Sequence, residues 1–211
     1  MGKLGKVLDP STAAPLVRAY YKGDDGVTYT GAKFDTLARG GHRADAADDI
    51  TYDDLVAVTL LGAQVPPESA LRLLGPDARV VSTQLRGLPR LQRLASVDVD
   101  ELHDPDHPAQ QLWTLLRADL DKSTASKLMA RKRPHLIPVW DPVIGRELGP
   151  VKGHWRRVHE IATDHAHTLA AIRREAGVAS GVSLLRILDV TLWMRGTAAA
   201  KKKSKKSKKK G

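Results

Sequence analysis

The chain has 211 residues, 42% of them hydrophobic and 4% aromatic, and no cysteine. A core built of Leu, Val and Ala favours helices over sheet, and the lack of cysteine excludes disulfides, thiolate zinc sites and iron–sulfur clusters. The formal net charge is +10, but eight of the 34 Lys and Arg residues stand in the last eleven positions, leaving 26 basic against 24 acidic side chains elsewhere.

The body is therefore close to neutral, and the high pI belongs to the tail "KKKSKKSKKKG". No stretch approaches the roughly 18 apolar residues of a membrane span. The opening "MGKLGKVLDPSTAAPLVRAYY" has no long apolar run of the signal-peptide kind. The expected setting is the cytoplasm, nucleoid DNA included.

In chain order, residues 1–50 read as an irregular N-terminal segment. "DPSTAAPLVRAYY" opens with a short helix, "GDDGVTYTG" gives a turn and an extended piece, and "ARGGHRADAADD" is a polar loop. A helical domain is expected over residues 51–196. Thr51 is placed to cap its first helix, with Asp54 at the third position. Pro66-Pro67 opens the next, "PPESALRLLG", which stops at Gly75. "ARVVSTQLRGLPRLQRLASV" reads as a short extended piece followed by a helix near 89–96.

Asp106 or His107 then caps a helix beginning at Pro108, with Leu112, Leu115 and Leu116 on one face. A helix over 123–132, a proline-bounded linker from Pro134 to Pro138, and a short helix from Pro142 follow. Two long helices close the domain. One runs through "HWRRVHEIATDHAHTLAAIRREAG", with Val158, Ile161, His165, Leu169 and Ile172 in register. The other runs through "SGVSLLRILDVTLWMRG", with Val182, Leu185, Leu188 and Leu192 in register, and each stops at a glycine. Residues 197–211 are expected to be disordered, because a run of like charges repels itself and buries nothing.

The densest stretch is "LWTLLRADLDKSTASKLMARKRPHLIPVWDPVIGREL". It reads as a helix, a short connection, a second helix whose start is made of the small residues Ser123, Thr124, Ala125 and Ser126, and then Asp141 seventeen positions after Thr124. This pattern resembles the helix–hairpin–helix DNA glycosylase superfamily, in which a Thr-Ala pair on the hairpin precedes an Asp that starts the next helix and is followed by x-x-Val/Ile-x-Arg. Here the matching residues are Thr124-Ala125, Asp141, Ile144 and Arg146. The wider chain also resembles an uncharacterised bacterial family marked by blocks like "TASKLMARKRP" and "IPVWD".

The glycosylase resemblance implies a mainly α, glycosylase-like helical fold with Asp141 as the catalytic carboxylate. That Asp would stabilise the positive charge that develops at the anomeric carbon as a flipped base departs. Members that also cut the strand keep a Lys just before Thr-Ala. That position is Ser123 here, so any activity is expected to be monofunctional, without lyase chemistry. The hairpin glycines of the superfamily correspond to Asp119 and Asp121, whose carboxylates repel a phosphate unless a metal bridges them.

Two readings of Asp141 stand side by side, a reactive carboxylate or the cap of the helix it begins. Trp140 either stacks on a base in a pocket or packs a helix junction. Lys127, Arg131, Lys132 and Arg133 either form a phosphate stripe with Lys122, Ser123 and Thr124 or belong to a helix face in which Arg133 satisfies nearby carbonyls. The tail lysines Lys201, Lys202, Lys203, Lys205, Lys206, Lys208, Lys209 and Lys210 are expected to contact DNA non-specifically, with strong salt dependence. No cofactor is expected. No metal is expected either, since His154, His159, His165 and His167 fall at spacings of 5, 6 and 2 and do not share one helix face. The expected function is DNA binding with monofunctional base excision. The alternative is a non-catalytic DNA- or protein-interaction module on the same scaffold.

Overall fold

Local signals set most of the helix starts. In the computed structural model, which describes residues 5, 7–23, 29–149 and 153–207, Asp9 accepts from the Ser11 amide and begins α1, Pro10–Lys22. Thr51 and Asp54 form a reciprocal capping box for α2, Tyr52–Thr59. Proline begins α3 (Pro67–Leu74), α5 (Pro108–Arg117) and α7 (Pro142–Leu148), where its missing N–H is one the helix does not use. His107 Nδ1 accepts from the Ala109 amide at 3.1 Å and caps α5. Between these lie α4 (Ala78–Arg86) and α6 (Lys122–Lys132); α8 (His154–Asp164), α9 (Ala166–Glu175) and α10 (Leu184–Ser207) complete the set. Short 3-10 turns occupy Thr30–Lys33, Leu37–Arg39, Leu94–Ser96 and Glu101–His103. The described residues contain helices and no strand, so the class is all-α. No helix among them is long and apolar enough to cross a membrane.

Several expectations change. Residues 78–86, read as extended from their valines, form α4, because Val81, Ser82 and Leu85 fall on one buried face at helical spacing. The helix expected near 89–96 is only the turn Leu94–Ser96. The long helix expected over 154–176 is two helices, broken at His165, whose backbone leaves the helical region (φ −119°, ψ 19°).

Gly196 ends nothing: it sits inside α10, where a Cβ would overlap Val143 of α7, so it is there for close approach between two helices. The helix then continues through Ser207 over part of the segment expected to be disordered. Ala198–Ala200 and the lysines that follow are good helix formers. The side chains of Lys201, Lys202, Lys203, Lys205 and Lys206, and all of Lys208, Lys209 and Lys210, lie outside the described residues.

The described part of the N-terminal segment packs into the common core. Val17 and Tyr20 of α1, with Ala32 and Phe34, are buried in the same hydrophobic cluster as Leu112, Leu128, Leu169 and Leu188. At the centre of that cluster is α6, buried along its whole length from Thr124 to Lys132 although three of those residues are cationic. A buried cation is tolerable only with partners. Those partners organise the molecule.

Candidate functional site: the Asp141 cavity

The cations at the end of α6 point inward. Arg131 is 2% exposed, Lys132 1% and Arg133 1%. Arg131 Nε reaches Asp54 Oδ1 at 3.1 Å, and its other nitrogens donate to the carbonyls of Phe34 and of Leu37, the latter at 2.6 Å. Lys132 Nζ takes Asp54 Oδ2 at 2.7 Å. Arg133 donates to the carbonyls of Leu88 (2.6 Å), Ala47 (2.7 Å) and Leu85, and to Asp48 Oδ1 (2.7 Å). In the loop over 34–48 these guanidinium groups take the carbonyls of Phe34, Leu37 and Ala47. Gly41 completes the arrangement, since a Cβ there would stand 2.6 Å from Asp54 Oδ1 and 2.7 Å from Arg131 O.

The expected phosphate stripe is thereby corrected. Arg131, Lys132 and Arg133 are inside the protein, as are Lys127 and Thr124, and only Lys122 of that set is exposed.

The hairpin between α5 and α6 is occupied by the chain's own carboxylates. Asp121 Oδ1 accepts the amides of Ser123 (2.7 Å) and Thr124 (3.0 Å), and Oδ2 accepts the Thr124 hydroxyl at 2.6 Å. A carboxylate of the chain itself therefore holds the amides that a phosphate would need. Asp119 pairs with Arg72, whose Nε is 3.0 Å from its Oδ2. The small residues at the start of α6 have a different use: Ser126 Oγ accepts the Trp140 amide at 2.9 Å, and Ser123 Oγ donates to the Trp140 carbonyl at 3.3 Å. This clasp holds the linker and fixes where Asp141 stands.

From there, neighbours turn opposite ways. Trp140 lies under the Lys122 ammonium (4.3 Å to the ring centroid) and borders a groove of about 170 Å3 with Trp113, His154 and Trp155. It does not line the cavity of Asp141, which corrects its expected place there. Asp141 caps α7, its Oδ1 accepting the Val143 amide at 2.8 Å. Its Oδ2 is 3.8 Å from Lys127 Nζ, which donates to the Leu61 carbonyl at 2.9 Å. Burial lowers the pKa of the Lys127 ammonium, against the opposing pull of Asp141.

Both residues line a cavity of about 240 Å3 that Tyr20, Tyr29, Trp193 and Asp189 also border. Tyr20 and Tyr29 stack at 5.3 Å with an 11° interplanar angle, and Trp193 meets Tyr29 edge-on at 5.6 Å. Burial drives the Asp189 carboxyl from 3.8 up to about 7, although Arg186 Nη1 donates to its Oδ1 at 2.7 Å. Arg186 is itself fixed by Tyr20 Oη (2.7 Å), Gly31 O (3.1 Å) and Asp35 Oδ2 (3.2 Å).

Thus α1, α6, α7 and α10 meet at one cavity with two carboxylates, two cations and an aromatic wall. The sequence reading found Asp141 and Lys127 but missed Asp189, Arg186, Tyr20, Tyr29 and Trp193. A signal for two of them was present: "LLRILDVTLW" places Arg and Asp three apart within an otherwise apolar helix, where charge is costly.

A family model described as a family of unknown function, DUF6308, matches residues 13–196. The chain belongs to this family. The match begins within α1 and ends in α10, so DUF6308 takes in Tyr20, Asp141 and Asp189 and stops before the lysine tail. No curated protein and no solved structure matches the chain.

Proposed function

We propose that the protein binds DNA and releases a base from it by hydrolysing the N-glycosidic bond, with Asp141 as the catalytic carboxylate and the cavity beside it as the base pocket. One juxtaposition carries the reading: a carboxylate held by its own helix N-terminus lines a cavity with an aromatic wall. An apolar cavity of about 150 Å3 admits benzene, so about 240 Å3 has room for the ring of a base. Stacking on aromatic side chains is worth about 1–3 kcal/mol per base, and Tyr29 and Trp193 offer such faces.

As the bond breaks, positive charge grows on the sugar, and a fixed carboxylate nearby stabilises it by several kcal/mol. The Val143 amide and the Trp140 clasp hold Asp141 in place. Ser123 stands where strand-cutting relatives of the helix–hairpin–helix glycosylases keep a Lys, in keeping with hydrolysis alone. Phosphate contacts fall to Lys122 and the tail lysines, because Asp121 fills the hairpin and Arg131–Arg133 are buried. That same filled hairpin favours a second reading, a non-catalytic interaction module on this scaffold.

The test is incubation of the full chain with single- and double-stranded oligonucleotides carrying uracil, hypoxanthine, 3-methyladenine or 8-oxoguanine, scored for alkali-labile sites. At least one should be cut. Asp141→Asn should lower the rate about 100-fold or more while keeping the cap of α7, since Asn caps helices about as well as Asp; because it removes the carboxylate opposite Lys127, the rates are compared at a temperature where the variant is folded. The absence of product from every substrate would overturn the enzymatic reading in favour of the module.

A further inference from the structure

Aromatic and cationic side chains meet a second time, on the side to which Trp140 turns. Its groove of about 170 Å3 is shared with Trp113, His154 and Trp155. Lys122, Trp140 and His154 also border a depression of about 730 Å3 along α7. His103 and Gln110 also border one of about 450 Å3 along α5. The three spaces form one run across the surface.

The charge of this run is one-sided. Among the described residues no Asp or Glu borders any of the three spaces, although the chain has 24 of them. Lys122 and Arg146 do border them, and Arg117 stands by, its Cζ 5.9 Å from the Trp113 ring centroid. None of these three cations has a carboxylate at ion-pair distance among the described residues. Burial and the like charge of Arg117 lower the pKa of the Lys122 ammonium. His154, held down at about 4 by burial with help from Lys122, adds no charge at neutral pH. A positive patch is left without a counter-ion.

We infer that this groove binds an unpaired strand of nucleic acid, with bases stacked on Trp140 and Trp113 and phosphates on Lys122, Arg117 and Arg146. Each of the two half-buried rings has its own cation: Lys122 Nζ is 4.3 Å from the Trp140 centroid, and Arg117 attends Trp113. A nucleotide is the same combination, a flat ring and a charge, so two such pairs in one groove match two nucleotides of a strand. The cations rest on the rings by cation–π attraction, and N–H groups remain for phosphate oxygens. Among the described residues Arg117 uses only Nη1, on the Leu120 carbonyl. Gly145 leaves the edge of Trp140 uncovered, where a Cβ would already touch Nε1 at 3.6 Å.

A duplex keeps its bases in its own stack, so rings recessed in a groove reach only unpaired ones. Proline-rich peptides also dock in aromatic grooves, but a lining with cations and no carboxylate favours the polyanion. The inference needs neither the Asp141 cavity nor base excision.

Binding of the full chain to oligothymidylate and oligouridylate of about 12 nucleotides, inside the usual site sizes of about 4–16, is followed by tryptophan emission and by the anisotropy of an end-labelled strand. The reference is a strand of equal length and charge whose residues are all abasic. At least one base-bearing strand should quench the tryptophans and bind about fivefold or more tightly than the abasic strand, the effect of one stacked base at about 1 kcal/mol or more. Either sugar meets the inference, and the tighter strand names the source. Trp140→Leu, which keeps apolar bulk and gives up the stacking face, should lose a similar factor and part of the quenching. Lys122→Gln should weaken the same strand and reduce its log–log salt slope by about 0.7.

Equal affinity for base-bearing and abasic strands would leave the tail lysines as the contact and overturn the inference, as would either variant binding as wild type does. A proline-rich peptide that quenches the tryptophans where the strands do not would overturn it in favour of a protein partner. If the strands bind as expected and no lesion is excised, the inference stands and the glycosidase reading falls. If a lesion is excised but bases add nothing to strand affinity, the reverse holds. The abasic comparison uses wild-type protein and holds even where Trp140→Leu fails to fold.

Discussion

Helix α6 carries two buried charge clusters about one turn apart, and they are finished differently. At Arg131–Arg133 the cations have carboxylate or carbonyl partners. Asp54, wholly buried, meets Arg131 and Lys132 as well as the amide and hydroxyl of Thr51. At Lys127 the cluster is incomplete. Lys127 has one carbonyl and a carboxylate at 3.8 Å, and Asp189 keeps an oxygen without a partner beside a cavity. The first cluster ties the loop over 34–48 to the core. The second leaves room for something that is not protein. Burial and charge are common to both, so neither marks a functional site; what separates them is whether the polar groups are satisfied from within the chain.

The largest expected effect comes from opening the closed cluster. Arg131→Met removes one of the two cations on Asp54 and leaves the Phe34 and Leu37 carbonyls without their donor. Breaking a buried pair from one side costs about 3–5 kcal/mol, so the urea midpoint should drop sharply. DNA affinity, measured at a temperature where the variant is still folded, should not change. A phosphate-contact role predicts the reverse, an unchanged midpoint and weaker, less salt-dependent binding.

This contrast also marks what could be read from sequence. Caps were legible, because Thr51 with Asp54, His107 and Asp141 act within three residues of themselves. The spacing of Lys127 and Arg131 on one helix face was legible as well. Which way that face points was not: Arg131 meets Asp54 across 77 positions and Phe34 across 97, and a charge pattern gives the sign of a residue but not its partner. The same limit hid the cavity, which needs Tyr20, Asp141 and Asp189 from three separate helices. Gly196 was read by its commonest use, as a helix stop, because its actual neighbours lie on α7.

Gly196 offers an intermediate effect on the open cluster. It lets α10, which carries Asp189, close on α7, which Asp141 begins. Gly196→Ala would press on Val143 and on Glu147 Cγ, 3.2 Å from the added carbon. Overpacking of this kind costs about 1–3 kcal/mol, visible as a lower melting temperature, and should move Asp141 relative to Asp189. At an ordinary exposed helix position the same change would stabilise by up to about 1 kcal/mol, and that outcome would remove the close contact from the account.

The smallest effect is a slope. Asp189 holds its proton to about pH 7 in the folded protein but only to about 3.8 when unfolded. Between those values the folded state binds more protons, so the Asp189 contribution to stability falls as pH rises. The groups that set its pKa come from several elements: Arg186 on its own helix, Asp35 in the loop after the first 3-10 turn, and Asp141 of α7. Tyr20 of α1 and Lys127 of α6 line the same cavity.

His154 has the opposite sign. Burial lowers it from 6.5 to about 4, its Nε2 lying 3.1 Å from the Val139 carbonyl, so its contribution rises with pH over that window. His42 and His135, also lowered by burial, add to the rise. Urea midpoints followed between about pH 4 and 7 should therefore climb more steeply in Asp189→Asn than in wild type. Equal slopes would mean that Asp189 is ionised in the folded protein over the whole window. A carboxylate that stayed charged there would need a satisfied environment, and the open cluster would then be closed like its neighbour.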